Sequence, residues 1–353
     1  VRLAYNLFTQ KPKQEKDDFL KWTSSVKYKQ GNDYFRHNGA GEMLVFSAAD
    51  FEDFREPRPD MPPEMEGELE EVVRILAENR WPWRLHATYD ETITRALDVF
   101  EKVNRDIPLE GINWFFDHAE TISDRSIDRI AALRGGIAVQ HRMAYQGEYF
   151  VERYGHGVAE ATPPVAKMLA KGVNVSAGTD ATRVASYNPW VSLSWMVTGK
   201  TVGGLQLYPR ANCLDRETAL RMWTEKVQWF SNEEGKKGRI EKGQFADLIV
   251  PNKDFFNCAE DEISFLTSEL TMVGGKIVYA AGEFASHDEN KVPPAMPDWS
   301  PVRTFGGYAA WGEPEGSDCG VHGHDHAGAW TSKLPIADLK GFFGALGCSC
   351  WAV

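Results

Sequence analysis

Leu85-His86-Ala87-Thr88-Tyr89-Asp90 runs from a short apolar stretch to a histidine and then to a helix start. Two later stretches, Phe116-Asp117-His118-Ala119-Glu120 and Ala177-Gly178-Thr179-Asp180, end the same way. Each reads as a buried strand that stops at a His or an Asp and gives way to a helix. If parallel strands close into a (β/α) barrel, their C-terminal ends converge on one face, so two imidazoles and a carboxylate distant in sequence meet there. Such ligands suit zinc or a similar divalent ion.

The flanking sequence carries the same grammar. Pro63 to Asn79 is helical, with Val72, Val73, Ile75 and Leu76 as its apolar positions, and Trp83 to Ala87 is a strand. Ile93, Ala96, Leu97 and Phe100 fall at i, i+3, i+4 and i+7, one buried stripe. Gly111 to Phe116 and Gly136 to Val139 read as strands, and Ser123 caps the helix carrying Ile127, Ile130 and Ala131. Thr162-Pro163 starts a helix, with Thr as cap, and Gly172 ends it before the strand Val173 to Ala177. Val26-Lys27-Tyr28-Lys29 alternates as a strand does. This alternation, from about residue 22 to 180, favours a parallel sheet or barrel.

The ends are read differently. Residues 1 to 60 are the least regular part, with a strand-like start at Val1, a glycine-bearing segment from Gly31 to Gly41 and a Pro-rich loop from Glu56 to Pro63. Helices follow at 189–198 and 215–231. Gly238 to Val250 and Thr271 to Phe284 are turn-rich and β-branched, so a small β segment is expected from Gly238. The expected organisation is a barrel part over 1–237, a β segment over 238–285 and an irregular tail over 286–353.

Composition narrows the function. Of 353 residues, 42% are apolar and 25% charged, which is ordinary for a globular chain, and the net charge of -12 argues against nucleic acid or an anionic membrane as partner. A small-molecule substrate is expected instead. No apolar run approaches the roughly 20 residues of a membrane span, and no signal peptide is visible, so a soluble, cytoplasmic protein is expected. Five sparse cysteines read as reduced thiols. There is no Gly-x-Ser-x-Gly elbow, no phosphate-binding glycine loop and no dinucleotide fingerprint.

A catalytic zinc typically has three protein ligands and one open position. His86 and His118 suit two of these, and Asp180 suits either a ligand or the acceptor of a water proton. Each has a plainer alternative: a hydrogen-bonded structural histidine, or an Asp that caps a helix. Lys27 and Lys29 are either a solvated face or a barrel-facing pair, one of them carboxylated between two metals. Cys319, His322, His324 and His326 form either a metal-binding tract or a polar loop. Cys348 and Cys350 are too close for the usual zinc pair.

In series these residues resemble the amidohydrolase superfamily, in its YtcJ-like or N-substituted formamide deformylase-like branch. His86 to Asp90 resembles that branch's His-Ala-x-Gly-Asp motif, Phe116 to Glu120 its Glu-His-Ala-Gln segment, and Ile137 to Gln140 its next strand. Gly172 to Asp180, followed by Asn188-Pro189, resembles its last barrel strand. Gly238 to Leu248 and Val273 to Tyr279 resemble returning strands of its small β-sandwich. The resemblance covers about residues 1 to 285 and implies a (β/α)8 TIM-barrel hydrolase with a C-terminal β-sandwich segment, incomplete at its N-terminus. It also implies one or two divalent metal ions, zinc above all, that activate a water to cleave non-peptide carbon-nitrogen bonds. His86 and His118 would be fifth- and sixth-strand ligands, Asp180 the eighth-strand ligand and general base, and Lys27, with Lys29 as the neighbouring choice, the bridging fourth-strand lysine.

The departures are specific. Tyr89 replaces a glycine, Asp117 stands where Glu is common, His141 stands where Pro is common, and Gln30-Gly31-Asn32-Asp33 replaces the usual Asp-Gly. No His-x-His precedes Lys27. The first three barrel units are therefore expected either to come from a partner chain or second subunit or to be lost, and the alternative function is a non-catalytic barrel fragment or partner-completed subunit that binds metal weakly.

Overall fold

The structure, a computed structural model, describes residues 1–51, 54–181 and 184–288. The tract from Cys319 to His326 and the pair Cys348 and Cys350 lie outside the described residues. The chain opens with β1 (Leu3–Leu7), α1 (Glu15–Ser25) and β2 (Phe35–Ala40). Then come α2 (Met65–Glu78), β3 (Arg84–Ala87), α3 (Asp90–Asp106), β4 (Phe115–His118), α4 (Asp124–Ala132) and β5 (Gly136–Gln140). Next are α5 (Met143–Tyr154), α6 (His156–Ala159), α7 (Val165–Ala170), β6 (Asn174–Gly178), α8 (Pro189–Thr198), α9 (Arg216–Trp223) and α10 (Val227–Phe230). Three strands close the described chain: β7 (Leu248–Pro251), β8 (Ser268–Val273) and β9 (Lys276–Ala280).

Two compact units result. Among the described residues, one comprises Val1–Gly178 and Ser192–Asp247, the other Thr179–Val191 and 248–288. In the first, β1 pairs with β2, and β3, β4, β5 and β6 pair in chain order, every pair parallel. An isolated parallel bridge between Ala40 and Trp83 joins the two sets. Six parallel strands thus run in sequence order with helices between them, the arrangement that crossover connections impose.

The strands are buried because helices cover them. Every residue of β4 and β5 is buried, which is why Phe115-Phe116 and Gly136 to Val139 read as apolar runs rather than alternating ones. Ile93, Ala96, Leu97, Phe100 and Val103 of α3 are all buried, and Phe100 meets Trp83, Trp114 and Phe116 at ring separations of 5.6, 5.0 and 5.6 Å. Each such side chain contributes about 1.5–3 kcal/mol by leaving water. Ser123 caps α4, its Oγ accepting from the Ser126 N–H at 3.2 Å.

The structure corrects several sequence expectations. Val26 to Lys29 is not a strand: Val26 caps the C-terminus of α1 and Lys29 turns left-handed, with φ 62°. Four alternating residues are too few to specify a strand against a preceding helix. That helix, α1, falls in the stretch that reads as least regular, since only Phe19 among its apolar residues is buried. Thr162 is not a helix cap; α7 starts at Val165, with Pro164 as its cap. Residues 215–231 break into α9 and α10, and Gly238 to Asp247 form turns rather than strand. In the second unit β7, β8 and β9 make a three-stranded antiparallel sheet, so its strands begin at Leu248.

Candidate metal centre

Parallel pairing sets His86 opposite Asp117 and Ala87 opposite His118. On β4, Phe116 packs on Phe100 of α3, while Asp117 faces Arg84 of β3 and receives two 2.6 Å bonds from its guanidinium. Strict alternation would return His118 to the Phe116 side. Instead the backbone is left-handed at His118, φ 79°, and at Ala119, φ 54°. The His118 ring therefore stands against the His86 ring, centroids 4.4 Å apart at 63°. Positive φ at a non-glycine residue is uncommon and concentrates at functional sites.

A third group joins them from the turn after β2. Gly41 N–H donates to Leu7 O and His86 N–H donates to Glu42 O, at 2.9 and 3.0 Å, which holds Glu42 beside the end of β3. Such a close approach needs glycine: at Gly41, φ 108°, a Cβ would lie 2.0 Å from Arg84 O. Glu42 Oε1 lies 4.0 Å from His86 Nδ1 and Glu42 Oε2 lies 3.8 Å from His118 Nε2. One ligand atom from each of Glu42, His86 and His118 lies within 4.8 Å of the others.

The nitrogens aimed into this space fit a metal. His86 Nδ1 and both nitrogens of His118 are buried without a hydrogen-bond partner, although buried imidazole nitrogens are normally satisfied. Two imidazoles and a carboxylate are the donor set of a zinc-type catalytic site. Burial, reinforced by the neighbouring His86 and Arg142, pushes His118 well below the usual histidine range, so its ring stays neutral and able to ligate.

Polar groups surround the three. Asp50, fully buried, accepts from Thr88 N–H at 3.1 and 2.9 Å and from Tyr89 N–H at 3.0 Å, and its Oδ1 lies 3.0 Å from His86 Nε2. Phe51 covers the His86 ring at 4.2 Å. Glu120 lies buried 3.6 Å from Arg142, and burial raises its carboxyl to about 7.

Of the residues that the sequence marks as candidates, His86 and His118 are brought together. Asp180 sits just beyond β6 with φ 53°, in the second compact unit. Lys27 is exposed on the turn between α1 and β2, which removes the basis for a barrel-facing Lys27. Glu42 and Asp50 escape a sequence reading because Phe35-Arg36-His37-Asn38-Gly39-Ala40 carries no β-branched residue and looks like a loop. One signal was present: Glu42 follows Gly39-Ala40-Gly41, the kind of sharp strand end at which His86 and His118 also stand.

The chain is similar to known proteins over most of its length. The profile described as "Amidohydrolase family" matches residues 1–279. YtcJ of Bacillus subtilis (strain 168) is 23% identical over 214 residues, which are 60% of this chain and 40% of that protein. An N-substituted formamide deformylase of Arthrobacter pascens is 28% identical over 197 residues, 55% of this chain and 36% of that protein. The chain thus spans well under half the length of these relatives. Among solved structures, metal-dependent hydrolases from Pyrococcus horikoshii OT3 and Pyrococcus furiosus superpose with TM-scores of 0.56 and 0.53 at 18% and 19% identity. Each covers 72% of this chain and 52% of its own, a likeness of fold.

Proposed function

The chain belongs to the amidohydrolase family, and from that premise we propose that it is a metal-dependent hydrolase of non-peptide carbon-nitrogen bonds in small amide-like molecules. The observation that carries this reading is the convergence of Glu42, His86 and His118 at adjacent strand ends, with His nitrogens buried and unpartnered. These three would hold one divalent ion of the zinc type. Bound there, such an ion supplies Lewis-acid polarisation and a water that ionises near neutral pH.

The chain's own groups set the conditions. His118 stays neutral because it is buried. The left-handed backbone at His118 aims its ring, and the close backbone approach at Gly41 places Glu42. Exposed Phe51 closes one side of His86. The proton-carrying role we assign to Asp180 rests on the Gly178-Thr179-Asp180 motif: its carboxylate would accept the proton of the attacking water and return it to the departing nitrogen.

The test is hydrolysis by the zinc-loaded protein of a panel of small amides, beginning with N-substituted formamides because a relative carries that name. Turnover that disappears in His86→Ala, His118→Ala and Asp180→Asn is the expected result. Turnover unaffected by these substitutions, or by chelation, would overturn the assignment.

A further inference from the structure

We propose that Asp50 is a positioning residue that fixes the tautomer of His86 and so makes Nδ1 the nitrogen available to a metal. This rests on the metal-centre reading above and identifies what prepares it. Asp50 is fully buried, and its two carboxylate oxygens are committed in a definite pattern. Oδ2 accepts from both Thr88 N–H and Tyr89 N–H, at 2.9 and 3.0 Å. Oδ1 faces His86 Nε2 at 3.0 Å, with a longer approach from Thr88 N–H at 3.1 Å. A carboxylate only accepts, so the Oδ1 contact favours the ring proton on Nε2, with the Thr88 hydroxyl oxygen, 3.3 Å away, as a second acceptor. Nδ1 then carries a lone pair, and it is this nitrogen that is buried without a partner and faces Glu42 Oε1. The pattern is that of a ligand histidine held by a carboxylate on its far nitrogen.

The chemistry predicts an unusual effect of a near-isosteric change. In Asp50→Asn one oxygen becomes an NH2 group. Placed at the Oδ2 position it would confront two backbone N–H donors, so the amide should turn its oxygen there and its NH2 toward His86. Nε2 must then accept, and the proton moves to Nδ1, the metal-facing nitrogen. A substitution of nearly unchanged shape would thereby block the site.

The experiment measures two things on wild type, Asp50→Asn and His86→Ala. The first is the His86 tautomer in the metal-free protein, from ring nitrogen NMR shifts. The second is zinc affinity by competition with a chromogenic chelator, with urea unfolding of the metal-free forms to confirm that all are folded. Expected are an Nε2–H tautomer in wild type, an Nδ1–H tautomer in Asp50→Asn, and at least a roughly tenfold loss of zinc affinity in that variant, within the range that such outer carboxylates contribute. An unchanged tautomer and affinity in Asp50→Asn would overturn the proposal while leaving the metal centre intact. Wild type that binds zinc no better than His86→Ala would overturn both readings, a pattern distinguishable from the previous one.

Discussion

Arg84 grips Asp117 across neighbouring strands with two 2.6 Å hydrogen bonds, and the two partners differ sharply in exposure: the Arg84 side chain is 34% exposed, that of Asp117 0%. Removing Arg84 leaves a fully buried carboxylate whose remaining side-chain contact, among the described residues, is the 3.4 Å one from Gln140. Removing the Asp117 charge leaves a guanidinium that reaches solvent and lies 3.7 Å from Glu42. Arg84→Met is therefore expected to cost about 3 kcal/mol or more, in the range for a buried pair broken from one side, and Asp117→Asn distinctly less. Urea unfolding of the two variants checks the order; equal costs would contradict it.

The turn at Gly41 should be intolerant of any side chain. A Cβ there would lie 2.0 Å from Arg84 O at a φ of 108°. Gly41→Ala is expected to destabilise the chain by more than about 1 kcal/mol and to weaken metal binding, because relief of the clash moves Glu42 away from β3. Unfolding midpoint and zinc affinity measured on the same preparation check both halves; a variant with wild-type values in each would contradict the account.

His141 gives the metal-free protein an acid limit. Burial lowers it to about 4, below the ordinary histidine value of about 6.5. A depressed folded value means that the unfolded chain binds the extra proton first, so stability is fully present above about pH 6.5 and falls as pH drops toward 4. The shift corresponds to a loss on the order of 3 kcal/mol. Urea midpoints at pH 7 and pH 5 should converge in His141→Gln, with a residue of the effect left from His118, which burial lowers in the same direction. A pH dependence identical in wild type and variant would contradict this.

Glu120 acts on the opposite side of neutrality. Its carboxyl is raised to about 7, by burial first and against the opposing influence of Arg142. A raised folded value means that its contribution is complete below about pH 4.5 and is lost as pH climbs through 7. Glu120→Gln cannot ionise, so its unfolding midpoint should decline less than that of wild type between pH 6 and 8.5. Parallel declines would exclude Glu120 as the source.

The residues that announce this site in the sequence are those whose strands are apolar runs. Leu85-His86 and Phe116-Asp117-His118 are legible because their strands are buried on both faces and end abruptly at a polar residue. β2 is not legible, since its polar and glycine residues suit a close backbone approach to the start of β3 rather than a packed apolar face. Its end supplies Glu42, so the third member of the group is hidden with it. Lys27 was the natural choice for a fourth-strand ligand only while Val26 to Lys29 read as a strand; the structure makes it a turn. Asp50 carries no periodic signal at all, because its role is set by hydrogen bonds to Thr88, Tyr89 and His86, distant in sequence.

Metal content per chain after extensive dialysis against a metal-free buffer, measured by elemental analysis on wild type and on the double variant His86→Ala with His118→Ala, tests the central claim most directly. The expected result is a stoichiometric zinc-like ion in wild type that is absent from the double variant. Metal held equally by both proteins, or by neither, would contradict a centre built on Glu42, His86 and His118.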